Sequence, residues 1–138
     1  MKKSEYPDWL VPISLAKELK DIGFRNKSCF YYSFEESALF VFSKPENYNK
    51  KDNEGKYVTI PTFEQTFSWF RKKGYEANID YVFHPDLKCK IGYLYEIIYD
   101  FNWEKFESYY ISYEIAKKEC LKELIKIYKE KQNGRVNS

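Results

Sequence analysis

Residues 62–83 have the sequence TFEQTFSWFRKKGYEANIDYVF, and this stretch predicts a helix followed by a β-strand. Thr62 and Gln65 have the spacing of a capping box, in which each side chain accepts a hydrogen bond from the other residue's backbone N–H. Apolar residues then recur at helical spacing: Phe63, Phe67 and Phe70. Gly74 predicts the helix end, because glycine readily adopts the left-handed conformation found there, and Tyr75 can fold back onto the last of these rings.

Apolar and polar residues alternate beyond this glycine, from residue 75 to residue 83. A period of two is typical of a strand with one face in the core and the other in water. A second alternating run, residues 91–99, follows a turn at residues 84–86. We therefore expect an antiparallel hairpin. Residues 100–111 fit either a loop with a short strand or an early helical turn.

The N-terminal part of the chain predicts another helix. Residues 15–22 carry one apolar stripe, and Ser14 before them is a candidate N-cap. Gly23 and Phe24 repeat the ending expected for the central helix. We therefore expect a short helix that ends in a left-handed glycine.

Three short runs after this helix predict strands. Residues 29–34 and 38–42 are aromatic and β-branched, and both faces are apolar, so we expect a strand pair covered by helices. Residues 57–60 predict a short edge strand that Pro61 closes. Residues 43–56 between them are rich in Asn, Asp, Gly and Pro, which is typical of a loop.

Together these elements predict an α+β fold. We expect a small antiparallel sheet of about four to five strands in two hairpins, with three helices, in the order α-β-β-(β)-α-β-β-α. The last helix starts near residue 112 and runs to about residue 131. A single domain over residues 1–138 is expected from the length, with an N-terminal arm (1–11), a variable loop (43–56) and a frayed tail (133–138).

The composition excludes some classes of protein. Aromatic residues make up 20% of the 138 residues, which excludes a disordered chain. The formal net charge is only +2, so charge alone favours neither nucleic acid nor membrane as a partner. Arginine, the residue best suited to phosphate and guanine recognition, occurs three times against 20 lysines.

The same sequence indicates a cytoplasmic location. No apolar stretch follows the first lysines as it would in a signal peptide, and no run is long enough to span a membrane. The three cysteines, Cys29, Cys89 and Cys120, are an odd number without regular spacing. Free buried thiols in a reducing compartment are the expectation.

Catalytic and metal-binding patterns are not found in the sequence. The only histidine, His84, precedes a proline in a predicted turn, and with Cys89 it supplies two soft ligands, where zinc takes three or four. The five glycines do not cluster into a phosphate-binding loop. We therefore expect no enzyme activity, no cofactor and no metal.

The aromatic surplus is the main functional signal. Many of these rings are expected simply to seal the core, but some fall in predicted loops, where exposed Tyr and Trp can anchor a protein partner. The candidate partner-binding residues are Tyr48, Lys50, Lys51, Lys56 and Trp103. The same tyrosine and lysines could instead stack on and neutralise single-stranded nucleic acid, although acidic residues lie among the lysines.

Several segments resemble a known group of proteins. Residues 63–73 (FEQTFSWFRKK), residues 92–97 (GYLYEI) and the closing helix with SYEIA at 112–116 and CLKELI at 120–125 are similar to a family of small uncharacterised proteins. Phages and mobile elements of Bacteroidota-type bacteria carry this family. The N-terminal WLVP (9–12) and LAKELKDIGF (15–24) also fit, whereas residues 43–56 and 100–108 depart from it.

The resemblance implies a partner class but no catalytic residues. A protein of this setting and size is expected to block a host protein or ribonucleoprotein complex, for example as an anti-CRISPR or other anti-defence inhibitor. Two alternatives remain open: a single-stranded nucleic-acid-binding protein and a virion or structural accessory protein.

Overall fold

The computed structural model describes residues 6–51, 55–84, 89–100, 102–110 and 112–137, with the backbone alone for residues 50, 51, 82–84, 89–91, 103–109 and 135–137. The fold is α+β, as the sequence predicts. The elements are α1 (Ile13–Asp21), β1 (Ser28–Ser33), β2 (Ala38–Glu46), α2 (Tyr48–Lys51), β3 (Tyr57–Thr59), α3 (Phe63–Lys72), β4 (Tyr75–His84), β5 (Cys89–Tyr99), β6 (Asn102–Tyr110) and α4 (Tyr113–Asn137).

The chain divides into two compact units, Met1–Thr66 and Phe67–Ser138. Each unit holds one antiparallel sheet of three strands, with the orders β2-β1-β3 and β4-β5-β6. The α+β class and the element order are confirmed, but the described strands form two sheets of three and not one sheet of four to five. A single domain over 1–138 stays a prediction.

In the first unit, the core forms between α1 and the sheet. Leu15, Ala16 and Leu19 are the buried residues of α1, and the helix contacts β3, whose Val58 is fully buried. The last residues of the predicted N-terminal arm belong to this core. Leu10 and Val11 are buried, and Leu10 forms a β-bridge with Thr62. Burial of such side chains is worth about 1.5–3 kcal/mol each.

The two helix ends predicted from glycine are present. At the end of α1, Gly23 has φ +101°, its N–H donates to the Lys20 carbonyl, and the Phe24 N–H donates to the Leu19 carbonyl at 2.9 Å. These are the two hydrogen bonds of a Schellman motif. The helix start differs: the N-cap is Pro12, without a side-chain capping bond, and not Ser14, which lies inside the first turn.

The capping box of α3 is present in both directions. The Thr62 N–H donates to Gln65 Oε1 at 2.9 Å, and the Gln65 N–H donates to Thr62 Oγ1 at 3.0 Å. At the other end Gly74 has φ +97°, and the ring of Tyr75 contacts that of Phe70 edge-on at 6.0 Å. Both ends of this helix therefore follow from local sequence.

The second unit is built on the predicted hairpin. β4 and β5 pair from Tyr75↔Tyr99 to His84↔Cys89, and α4 contacts all three strands of this sheet. Tyr95 and Ile97 of β5, one of the strands that α4 contacts, are buried. The buried residues of α4 are Ala116, Cys120, Leu121, Leu124, Ile125 and Ile127.

Three segments differ from the prediction. Residues 102–110, which in the sequence fit either a loop with a short strand or an early helical turn, form the nine-residue strand β6 because they complete the backbone hydrogen bonding of β5. Within 43–56, β2 continues to Glu46 and α2 follows, so the described part of this region is not only a loop. α4 continues past Gly134 to Asn137, so the expected tail from residue 133 is helical up to that residue.

Candidate functional site

Tyr31 lies at the centre of a group of aromatic rings on the first sheet. Its ring centroid is 4.4 Å from that of Tyr48, 5.2 Å from Phe40, 5.5 Å from Phe42 and 5.6 Å from Tyr57. Stacked and edge-on ring pairs contribute about 0.5–1.5 kcal/mol each beyond the area they bury. We call these five residues the aromatic face.

Strand pairing explains why the rings share one side of the sheet. Tyr31 is the register partner of Phe40 on β2 and of Thr59 on β3. Side chains two residues apart on a strand lie on the same side. Phe42 therefore follows Phe40 on this side, and Tyr57 precedes Thr59 on it.

The outer part of the aromatic face is open to solvent. Phe42 is 49% exposed and Tyr57 is 36% exposed. The β1–β2 register shifts between Ser28 and Phe30, so β2 leaves regular pairing beyond Val41, and residues 41–45 are all exposed. Both rings contact the half-buried Tyr31 between them, and a connected apolar surface is typical of interaction sites, whereas isolated exposed side chains are ordinary.

This exposure corrects the expectation that helices cover both sides of the β1–β2 pair. On the opposite side of the sheet Val41 is 63% exposed, beside its register partner Phe30. The Phe30 ring contacts Trp9 edge-on at 5.3 Å, and Trp9 is also exposed. The covering helix α1 is only nine residues long, and it packs toward β3.

Tyr48 is the candidate residue whose environment differs most from the prediction. The sequence places it in an exposed loop, yet its side chain is only 9% exposed, so the expectation of an exposed anchor is wrong. The short helix α2 forms where a loop was expected and lays the Tyr48 ring against Tyr31. Tyr48 is thus the base of the aromatic face, and Phe42 and Tyr57 are its accessible part.

The next residue, Asn49, fastens α2 to the sheet. It is 3% exposed and exchanges hydrogen bonds with Thr59 of β3: the Asn49 N–H donates to Thr59 Oγ1, and the Thr59 N–H donates to Asn49 Oδ1. The Asn49 amide group also donates to the Phe24 carbonyl at 2.9 Å. Buried polar groups satisfied in this way hold their segment in one position.

The Tyr48 hydroxyl is buried without a hydrogen-bond partner, the one such side-chain atom found in the described part of the chain. Burial raises the pKa of Tyr48, and the charge of Glu46 and the groups of Tyr31 and Cys29 raise it further. Burial also raises the pKa of Tyr31, with smaller contributions from Tyr57 and Glu36. Both phenols therefore stay protonated at neutral pH, in a negative local potential.

For most of the other predicted contact residues the structure describes the backbone but not the side chain. Lys50 and Lys51 end α2, and their side chains lie outside the described residues. Lys56 is exposed, and its carbonyl accepts a hydrogen bond from the Phe34 N–H at 2.9 Å. Trp103 belongs to β6 in the second unit, where it pairs with Ile98, and its side chain is likewise outside the described residues.

Sequence reasoning missed four residues of the aromatic face, because Tyr31, Phe40, Phe42 and Tyr57 were expected to be ordinary strand residues. One signal could have revealed them. Two neighbouring strands with apolar residues on both faces need cover on both faces, and the first half of the chain predicts a single helix. One side therefore had to stay at least partly open.

A second group of exposed rings lies in the second unit. Tyr81 and Tyr113 are 47% and 43% exposed, and both contact the ring of Tyr93 edge-on, at 5.5 and 6.1 Å. The ammonium group of Lys117 lies 5.3 Å from the Tyr113 ring centroid. Tyr110 lies on β6 and its ring stacks on that of Tyr95 at 5.9 Å.

The described residues contain no group of three or more His, Cys, Asp or Glu side chains placed to hold a metal ion. Cys29 and Cys120 are free thiols, half-buried and buried respectively. Burial raises the pKa of Cys120 to about 12, with a smaller contribution from Glu123, so the thiol is protonated and unreactive at neutral pH.

Comparison with protein families, curated proteins and solved structures finds no match to this chain. Among the described residues, no helix has both the length and the apolar character needed to cross a membrane.

Proposed function

We propose that this chain is a non-enzymatic binding protein that contacts a protein partner through the aromatic face. The observation that carries the proposal is the exposure of Phe42 and Tyr57, which adjoin Tyr31 on an ordered sheet. Aromatic residues held rigidly lose little conformational entropy on binding, and they supply much of the energy at protein interfaces.

The support beneath the rings favours recognition over a purely structural role. Tyr48 lies under Tyr31, and the hydrogen bonds of Asn49 with Thr59 and Phe24 fix the segment that carries Tyr48. A preorganised surface binds more tightly than a mobile one, because less order has to be imposed on association.

The class of partner comes from the resemblance alone. A family carried by phages and mobile elements suggests a host defence complex as the target and the cytoplasm as the place of action. Single-stranded nucleic acid fits the aromatic face less well, since Glu36 and Glu46 contribute negative charge at Tyr31 and Tyr48 and would oppose phosphate.

Affinity capture from host lysate, with and without nuclease, tests the proposal. We expect a stoichiometric protein partner that survives nuclease. Loss of all captured material on nuclease treatment would instead indicate nucleic-acid binding. Copurification with virus particles, and with nothing else, would indicate an accessory virion protein.

A further inference from the structure

We propose that the aromatic face, together with the Tyr48 hydroxyl, forms the binding site for an arginine side chain of the protein partner. This inference rests on the proposed function and adds the chemistry of the group that the surface recognises. Three features of the first unit support it: no described side chain places a cation over the rings, the ring planes suit a flat cation, and a buried acceptor has no donor among the described residues.

Elsewhere in the described part of the chain, lysine ammonium groups lie over aromatic rings. Ammonium groups lie 4.7–5.3 Å from ring centroids in four pairs: Lys17 with Phe34, Lys73 with Trp69, Lys117 with Tyr113 and Lys131 with Tyr99. None of the described cationic side chains occupies this position over the rings of the aromatic face. Its electron-rich surface is therefore available to a cation supplied by another molecule.

The orientation of the rings favours a planar cation. The planes of Phe40 and Phe42 lie within 14° and 10° of the plane of Tyr31, and that of Tyr48 lies within 28°. A guanidinium group is flat, weakly hydrated and stacks readily on aromatic faces, whereas an ammonium group is compact and strongly hydrated. The edge-on ring of Tyr57, at 80°, borders this surface on the β3 side.

The Tyr48 hydroxyl supplies an acceptor. It is buried and unpaired within the described residues, and a buried hydroxyl without a partner is destabilising. A guanidinium group has five N–H donors and no acceptor, so it can stack on a ring and donate to this oxygen at the same time. Access requires a neighbouring ring to move, and the half-exposed Phe42 ring lies 6.2 Å from that of Tyr48. Side-chain rotations of this kind are common when proteins bind.

Charge also favours a cation here. Glu36 contributes negative potential at Tyr31, and Glu46 does so at Tyr48. The ammonium group of Lys20, on α1, donates to the Tyr57 carbonyl at 2.8 Å. It therefore hydrogen-bonds to the backbone of β3.

Two blocked tripeptides, glycine–arginine–glycine and its citrulline counterpart, provide the test. Citrulline keeps the shape and the planar group of arginine but has no charge. Each is titrated into the isotope-labelled full chain and followed by two-dimensional NMR. We expect saturable shifts of the Tyr31, Phe42 and Tyr57 amide signals with the arginine peptide, and at least about fivefold weaker binding of the citrulline peptide.

The variant Tyr48→Phe tests the hydroxyl directly, because it keeps the ring and removes only the oxygen. We expect about tenfold weaker binding of the arginine peptide, as for a lost hydrogen bond to a charged group. The matched control is Tyr81→Phe in the second unit, which should leave the affinity unchanged. Equal binding of both peptides, no shifts at the aromatic face, or full affinity in Tyr48→Phe would overturn the inference.

The experiments distinguish failure of the arginine site from failure of the proposed protein-binding function. If Phe42→Ala abolishes capture of a protein partner but the arginine peptide does not bind, the arginine site is wrong and the protein-binding function stands. If the arginine peptide binds selectively but no protein is captured, the arginine site stands and the proposed function is wrong.

Discussion

Asn49 and Thr59 exchange two hydrogen bonds: the Asn49 N–H donates to Thr59 Oγ1 at 3.0 Å, and the Thr59 N–H donates to Asn49 Oδ1 at 2.9 Å. Both residues are buried. This pair fixes α2 against the edge strand β3, and Tyr48, the residue before Asn49, thereby takes its place beneath Tyr31. The accessible rings of the aromatic face therefore depend on a polar contact beneath them.

Removing the Asn49 side chain should destabilise the protein strongly. In Asn49→Ala the buried Thr59 N–H loses its acceptor, whereas the Phe24 carbonyl keeps the hydrogen bond from the Arg25 guanidinium group. The free energy of unfolding should fall by about 1–3 kcal/mol, because an unsatisfied buried group costs about that much. Chemical denaturation measures the change. The control Asn78→Ala removes an exposed side-chain contact to Glu96 and should change stability by less than about 0.5 kcal/mol.

Tyr48→Phe should have the opposite effect on the free protein. The substitution removes a buried hydroxyl that has no partner within the described residues and keeps the ring against Tyr31. We expect the free energy of unfolding to rise by up to about 1 kcal/mol, since an unsatisfied polar atom leaves the interior. A loss of more than about 1 kcal/mol would contradict this, because it would mean that the hydroxyl is satisfied in the folded protein. Gain of stability combined with loss of arginine binding is the signature of a functional hydroxyl.

The capping box at the start of α3 should contribute cooperatively. Thr62→Ala should lower stability by about 1 kcal/mol, because the Gln65 N–H loses its acceptor. Gln65→Ala should cost less, since its partner, the Thr62 N–H, is not deeply buried. The double variant should be less destabilised than the sum of the single variants, by about 0.5 kcal/mol or more. Additive losses would mean that the two hydrogen bonds act independently.

Cys120 should resist alkylation until the protein unfolds. Its pKa of about 12 leaves almost no thiolate at pH 8. Iodoacetamide followed by mass spectrometry should therefore modify the half-buried Cys29 before Cys120. Because the folded pKa lies above the ordinary value of 9.0, this thiol favours the folded state fully below about pH 9 and loses that contribution as the pH rises toward 12. Rapid modification of Cys120 in the native protein would contradict its burial.

Local signals in the sequence predicted the parts of the fold that depend on neighbouring residues. The Gly23–Phe24 helix end and the Thr62–Gln65 capping box are set within six residues of chain, and both form as expected. The alternation over residues 75–99 likewise predicted the hairpin. The sequence did not decide between a short strand and a helical turn where β6 forms, because the pairing of β6 with β5 depends on the whole sheet and its own sequence has no clear period.

The candidate site was harder to predict, because it depends on contacts between distant residues. Tyr48 lies in a polar segment, so its sequence neighbours predicted exposure, but Tyr31, 17 positions earlier in the chain, provides an apolar surface for its ring. The burial of Asn49 depends equally on Thr59. Local sequence therefore predicted Tyr48 as the accessible residue, whereas the accessible rings are those of Phe42 and Tyr57.

The most direct test of the central claim compares Phe42→Ala with Tyr81→Ala in affinity capture of the partner. The two side chains are almost equally exposed, at 49% and 47%, but only Phe42 belongs to the aromatic face. We expect Phe42→Ala to weaken partner binding at least about tenfold, as for an interface hot spot, while Tyr81→Ala binds like the original chain and both variants unfold cooperatively. Unchanged binding in Phe42→Ala, or loss of binding in Tyr81→Ala alone, would contradict a partner-binding aromatic face.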